Sequence, residues 1–176
     1  MARLLLSLFV PLFLMLPLGA AANERYETLL GQLAQSQTSA EAQALSGQIW
    51  QIWLTAPDEA AQAVLDAAMA RRQAQDFLGA ISELDRLIEG WPDYAEGWNQ
   101  RATMYYVIGA FEASLADVDE VLAREPRHFG ALSGKAVILA RQGKTALAQL
   151  AVREALKFHP HLNERAILRV NPGQDL

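Results

Sequence analysis

The sequence has no cysteine in its 176 residues. That excludes a disulfide framework, a thiolate zinc site, a cysteine nucleophile and the lipid-bearing cysteine of a bacterial lipoprotein. Positive charge is also scarce. Lys and Arg number 15 against 20 Asp and Glu, a formal net charge of −5. A general nucleic-acid binder shows a basic footprint, so nucleic acid is not an expected partner. No Ser/His/Asp order, His-Glu-x-x-His motif or paired carboxylates in a recognisable setting occur. The chain therefore reads as no enzyme, with no catalytic residue, no metal site and no cofactor. What it has in quantity is apolar surface, 52% of its residues, too much for disorder and enough for one ordinary domain.

The first 22 residues read as an export signal. Arg3 supplies a positive charge and Leu4 to Leu18 form an apolar run broken only by Ser7, Pro11 and Pro17. Ala20-x-Ala22 is then the small-residue pattern that signal peptidase reads. The run falls short of the ~20 residues that span a bilayer. Cleavage between Ala22 and Asn23 is expected, giving a periplasmic protein with no membrane insertion. The alternative is an uncleaved N-terminus that anchors the chain in the inner membrane.

Beyond residue 60 the sequence repeats. Pro92, Pro126 and Pro160 recur every 34 residues, and 61–94, 95–128 and 129–162 align on them without gaps. A fixed period of this size marks a solenoid. Ala68, Ala102 and Ala136 coincide, as do Ala80, Ser114 and Ala148, and Leu84, Val118 and Val152. Gln75, Gly109 and Gly143 share one turn position. Each segment reads as two helices. In the middle one, Trp98, Ala102, Tyr105 and Ile108 make one stripe, and Phe111, Leu115, Val118 and Leu122 the next. Gly109 suits the left-handed turn between them, and Pro126 stops the second helix.

This pattern resembles the tetratricopeptide repeat (TPR). Trp98, Ala102, Tyr105, Gly109, Phe111 and Pro126 stand at its signature positions, with Arg101 and Ser114 as departures. The third repeat keeps Ala136, Gly143, Ala148, Ala155 and Pro160, and the first keeps Ala68, Phe77, Ala80 and Pro92. The stretches 98–103 and 125–134 are similar to small exported TPR proteins of Gram-negative bacteria. The resemblance implies an all-α solenoid of antiparallel helix pairs with a role in the cell envelope.

The flanks read as caps. Residues 23–60 give a degenerate N-terminal repeat: a helix over Glu24–Leu33, then a second opened by the capping box Thr38-x-x-Glu41. Trp50 and Trp53 are expected to pack this cap on the first repeat. Residues 163–176 give a short capping helix, Asn163–Val170, and a tail that frays.

The resemblance also assigns roles. Trp98 and Tyr105 are structural, with Trp98 buried, and Arg101 pairs with Asp117 inside the repeat. The concave groove is lined by Leu65, Met69, Arg72 and Gln73 from the first repeat, Asn99, Thr103 and Tyr106 from the second, and Ser133, Val137 and Arg141 from the third. Glu96 is placed on the same exposed face. Leu65 and Met69 stand where TPR domains that clamp a chaperone's terminal carboxylate carry Lys and Asn.

Other polar clusters read as solvated. Gly130–Ala136 has the wrong spacing for a phosphate loop and lies within a helix. His128, His159 and His161 are expected in open turns, and Asp117–Glu120 on a wet helix face. Residues 23–120 carry 16 acidic and 5 basic side chains, residues 121–176 carry 4 and 9. This polarity would orient a partner or favour self-association. The function expected is an adaptor holding a protein or peptide segment in its groove. Alternatives are a structural subunit of a secretion or division complex, using its convex or end surfaces, and an enzyme with an unrecognised site.

Overall fold

The computed structural model describes the backbone of residues 18–169 and the side chains of residues 23–169. Most of the expected export signal lies outside these residues. Among the described residues every regular element is helical. The elements are α1 (Leu18–Ala34), α2 (Ser39–Trp53), α3 (Glu59–Gln73), α4 (Phe77–Gly90), α5 (Ala95–Val107), α6 (Phe111–Arg124), α7 (Phe129–Arg141) and α8 (Thr145–Phe158). A 3-10 helix, Asn163–Arg169, stands where the short capping helix was expected. The all-α solenoid is therefore present: α3–α8 pack antiparallel, each on its chain neighbour.

The caps explain where helices begin. Thr38 accepts the amide of Glu41, while Glu41 reaches back to the amide of Gln37. Asp58 and Asp76 do the same for Ala61 and Gly79. Each such cap is worth about 1 kcal/mol. The helix pairs turn through Gln75, Gly109 and Gly143, all at positive φ (60°, 80° and 72°). Glycine takes that conformation without penalty, whereas a side chain costs about 1–2 kcal/mol. Gln75→Gly is therefore expected to stabilise the protein by about 0.5–1 kcal/mol, the residual gain after the extra freedom of the unfolded chain. Urea unfolding checks it; a loss of stability would show the Gln75 side chain to be holding the turn.

Ionic contacts follow the same period. Arg101 donates through Nε and Nη2 to both oxygens of Asp117, at 2.8 and 2.7 Å. Its Nη1 reaches Asp85 of the preceding repeat at 2.7 Å. Lys135, 34 residues on, makes the equivalent reach back to Asp119 at 2.7 Å. Asp117–Glu120 is thus not a merely wet run: Asp117 is buried, and Asp119 and Glu120 are paired with Lys135 and Arg124.

The N-terminal hairpin departs from expectation. α1 and α2 pair with each other, but α1 packs on α8, and α2 has no comparable packing on α3. Tyr26, Leu29, Leu30, Leu33, Ile49 and Trp53 form one buried cluster with Phe129 of α7, and Phe158 of α8 packs against it. The hairpin thus lies across the inter-repeat turns. Tyr94 donates to the carbonyl of Trp53 at 2.7 Å, Tyr26 to Glu125 at 2.8 Å, and His161 Nε2 stands 3.0 Å from the carbonyl of Ser36. Burial, then the bond to Glu125, pushes the Tyr26 phenol far above its usual range, so it stays a donor. Arg127 grips Glu27 with two bonds of 2.7 and 2.9 Å. The physical reason is aromatic surface. The turns present Tyr94, His128, Phe129 and His159, which a hairpin with one strongly apolar face can cover in a single docking.

Candidate functional site

Where the hairpin crosses the concave side it closes one flank of the groove. The result is a cavity of about 810 Å³. α2 contributes Ser39, Gln43, Ser46 and Trp50; α5 contributes Asn99, Thr103 and Tyr106. Gly130, Ser133, Gly134 and Val137 of α7 form the opposite wall, and His159, His161 and Arg165 close the end. Gly130 permits the close approach of Trp50 to α7: a Cβ there would stand 2.6 Å from the indole carbons.

Behind Asn99, outside the lining itself, lies one buried carboxylate. Glu96 is 2% exposed, not on the open face, because it gathers donors from three side chains. Asn99 Nδ2 reaches its two oxygens at 3.1 and 3.2 Å, Gln100 Nε2 donates to Oε1, and His128 Nε2 lies 3.1 Å from Oε2. His128 is fully buried rather than solvated. Its Nδ1 accepts the amide of Ala131, capping α7, so the imidazole proton sits on Nε2 and is given to Glu96. The ring lies flat on Trp53, centroids 3.8 Å apart. His159 is also buried, 9% exposed, which lowers its pKa and favours the neutral ring.

Five of the ten groove residues read from the sequence line this cavity: Asn99, Thr103, Tyr106, Ser133 and Val137. Asn99 is only 7% exposed, held by Glu96. Leu65 is 1% exposed and belongs to the core around Leu84 and Met104, and Met69 packs against that core. Arg72 bonds Gln100 at 3.2 Å, and Gln73 is exposed away from the cavity. Arg141 lies over the Tyr106 ring at 5.0 Å and borders a shallower hollow with Val137 and Glu164. Trp98 is half-buried rather than buried, and packs against the small core of Ala102, Val118, Val121 and Ala131. Its faces meet Arg101 and Arg124 at 5.0 and 4.8 Å, and its Nε1 donates to the carbonyl of Pro92. Tyr105 packs against the core of the first repeat.

Trp50, Ser46 and His159 were missed because a groove read by repeat register draws only on the first helix of each pair. Trp50 and Trp53 pack on His128 and Phe129, not on the first repeat.

A TPR repeat-containing protein of Rhizobium etli is 33% identical over 142 residues, 81% of this chain and 70% of that one. The chain belongs to the tetratricopeptide-repeat family. No protein-family model matches it. Solved TPR structures share the fold. The TPR2B-domain:pHsp70 complex of yeast Sti1 aligns with a TM-score of 0.56 at 19% identity, over 62% of this chain and 90% of that one. The TPR2AB-domain:pHSP90 complex of the same protein gives 0.57 at 17%, over 85% and 60%. A mutant of MamA gives 0.52 at 12%, over 78% and 96%. In a TPR protein the helix-pair fold is an interaction scaffold. Here the N-terminal hairpin has narrowed its groove to a walled cavity.

Proposed function

We propose that this TPR protein is a non-catalytic adaptor that holds a segment of another protein in the cavity between α2, α5 and α7. The observation that carries this reading is the lining. Apolar side chains (Trp50, Tyr106, Val137) alternate with many polar ones (Gln43, Ser46, Asn99, Thr103, Ser133), a mixed lining that offers an extended segment both apolar contact and hydrogen bonds. The Sti1 neighbours, titled as complexes with pHsp70 and pHSP90, support a protein or peptide as the occupant. The export signal read over residues 1–22 supports a periplasmic place of action, in envelope assembly or integrity.

One experiment separates these parts. A photo-crosslinking residue replaces Val137 in the full chain, produced in a Gram-negative host. The companion variant adds Gly134→Phe, since Gly134 lines the cavity and a Cβ there meets nothing within 4 Å. Phe also removes a helix-interior glycine, so stability should hold. The expected result is a protein adduct in the periplasmic fraction, on a chain beginning at Asn23, lost on filling the cavity. An adduct that survives Gly134→Phe would move the interaction to another surface. A chain still carrying Met1 would move the site of action to the membrane or the cytoplasm.

A second reading has its own observation. Leu147 and Leu150 of α8 are 52% and 56% exposed, three residues apart on one helix. They favour an end-on contact of the kind a structural subunit makes.

A further inference from the structure

Glu96 does more than fill a hole. Its two oxygens collect Asn99 Nδ2, Gln100 Nε2 and His128 Nε2. Among the described residues no Lys or Arg reaches the carboxylate: His128 offers Nε2 while its Nδ1 accepts the amide of Ala131, and Arg72 stops at Gln100 Oε1. A carboxylate takes donors only, so Asn99 cannot turn its amide round. That leaves Asn99 Oδ1 as an acceptor for the cavity, with Nδ2 held at the carboxylate by contacts to both its oxygens. Behind it stands a buried negative charge without a formal counter-ion. Both features repel an anion and call for an N–H. The formal charges in the lining, Glu164 and Arg165, are adjacent in sequence and of opposite sign.

From this we infer that the cavity accepts an internal peptide segment, with a backbone N–H given to Asn99 Oδ1 and an apolar side chain against Trp50 and Val137. It discriminates against a free terminal carboxylate, and Glu96 is the positioning residue that sets this preference. The inference deepens the adaptor reading and rests on it.

The test uses the full chain with two small probes that differ at one group, N-acetylphenylalanine amide and N-acetylphenylalanine. Each is titrated while the indole N–H resonance of Trp50 is followed by NMR. The amide should bind about fivefold more tightly than the acid, the worth of roughly one net hydrogen bond. Glu96→Gln frees Asn99 to turn and should bring the two affinities within about twofold, since either amide orientation then finds a partner. If Glu96→Gln does not fold, Asn99→Ala serves: it removes the acceptor and should weaken the amide more than the acid, closing the gap between them. Equal binding of the two probes to the unmodified chain, or tighter binding of the acid, overturns the specificity inference and leaves the adaptor reading standing. No response to either probe removes the cavity as the adaptor's site and the inference with it.

Discussion

Trp53→Ala is expected to cost about 3–5 kcal/mol, the usual loss when a buried tryptophan is truncated. Trp53 is 9% exposed and sits at the centre of the hairpin contact. It stacks on His128 at 3.8 Å, meets Phe129 at 4.8 Å and Trp50 at 5.1 Å, and donates from Nε1 to the Tyr26 hydroxyl at 3.2 Å. A domain of this size has only about 5–15 kcal/mol to lose. The loss falls at the seam between the hairpin and the repeats, and repeat proteins are held by neighbour contacts. The hairpin should therefore detach before the repeats unfold. Hydrogen exchange checks this: amides of α1 and α2 should lose protection while those of α3–α6 keep most of theirs. Uniform loss would mean the hairpin and repeats unfold as one unit. Trp98→Ala makes the contrast. Trp98 is only half-buried, with arginines over its ring and a small core cluster beside it, so its loss should be smaller, about 2 kcal/mol.

Glu96→Ala is expected to cost a similar amount, about 3–5 kcal/mol, for a different reason. Asn99, Gln100 and His128, all 7% exposed or less, would lose their acceptor together. Each buried donor left unmade costs about 1–3 kcal/mol, reduced where a water can enter from the cavity. The effect should not add to that of Trp53→Ala. Both substitutions loosen His128, one by removing its ring contact and one by removing its proton acceptor. The double variant should fall short of the sum by about 0.5–3 kcal/mol, as residues in one network do. Urea unfolding of the four proteins measures this; strict additivity would show that the two sides of His128 are energetically independent.

The same network explains why Asn99 was legible as a groove-facing residue but not as a buried one. Its repeat position places it on α5, where it lines the cavity. Its burial depends on Glu96 three residues earlier and on His128 in the next turn, 32 residues from Glu96. The repeat alignment sets Glu96 level with Gly130 and His128 level with Tyr94, so the pair has no counterpart to reveal it. Leu65 erred the other way. The register put it in the groove, but the apolar stripe Ala61, Leu65 and Ala68 on α3 is better buried against α4, and the structure does so.

The sequence alone determined whatever repeats or acts locally. Helix pairs, their stops at the prolines, the left-handed turns at 75, 109 and 143 and the pairing of Arg101 with Asp117 lie within a few turns of one another. A period of 34 displays each of them three times or ties it to a signature position. Tertiary structure alone decided where the N-terminal hairpin docks, and with it the walls of the cavity. The contacts that do so join residues about a hundred positions apart, Tyr26 to Glu125, Glu27 to Arg127 and Ser36 to His161. An apolar stripe on α1 and α2 states that a face must leave water. It does not state which of several aromatic-rich surfaces will cover it, because the hydrophobic effect has no direction and only shape and hydrogen bonding choose among them.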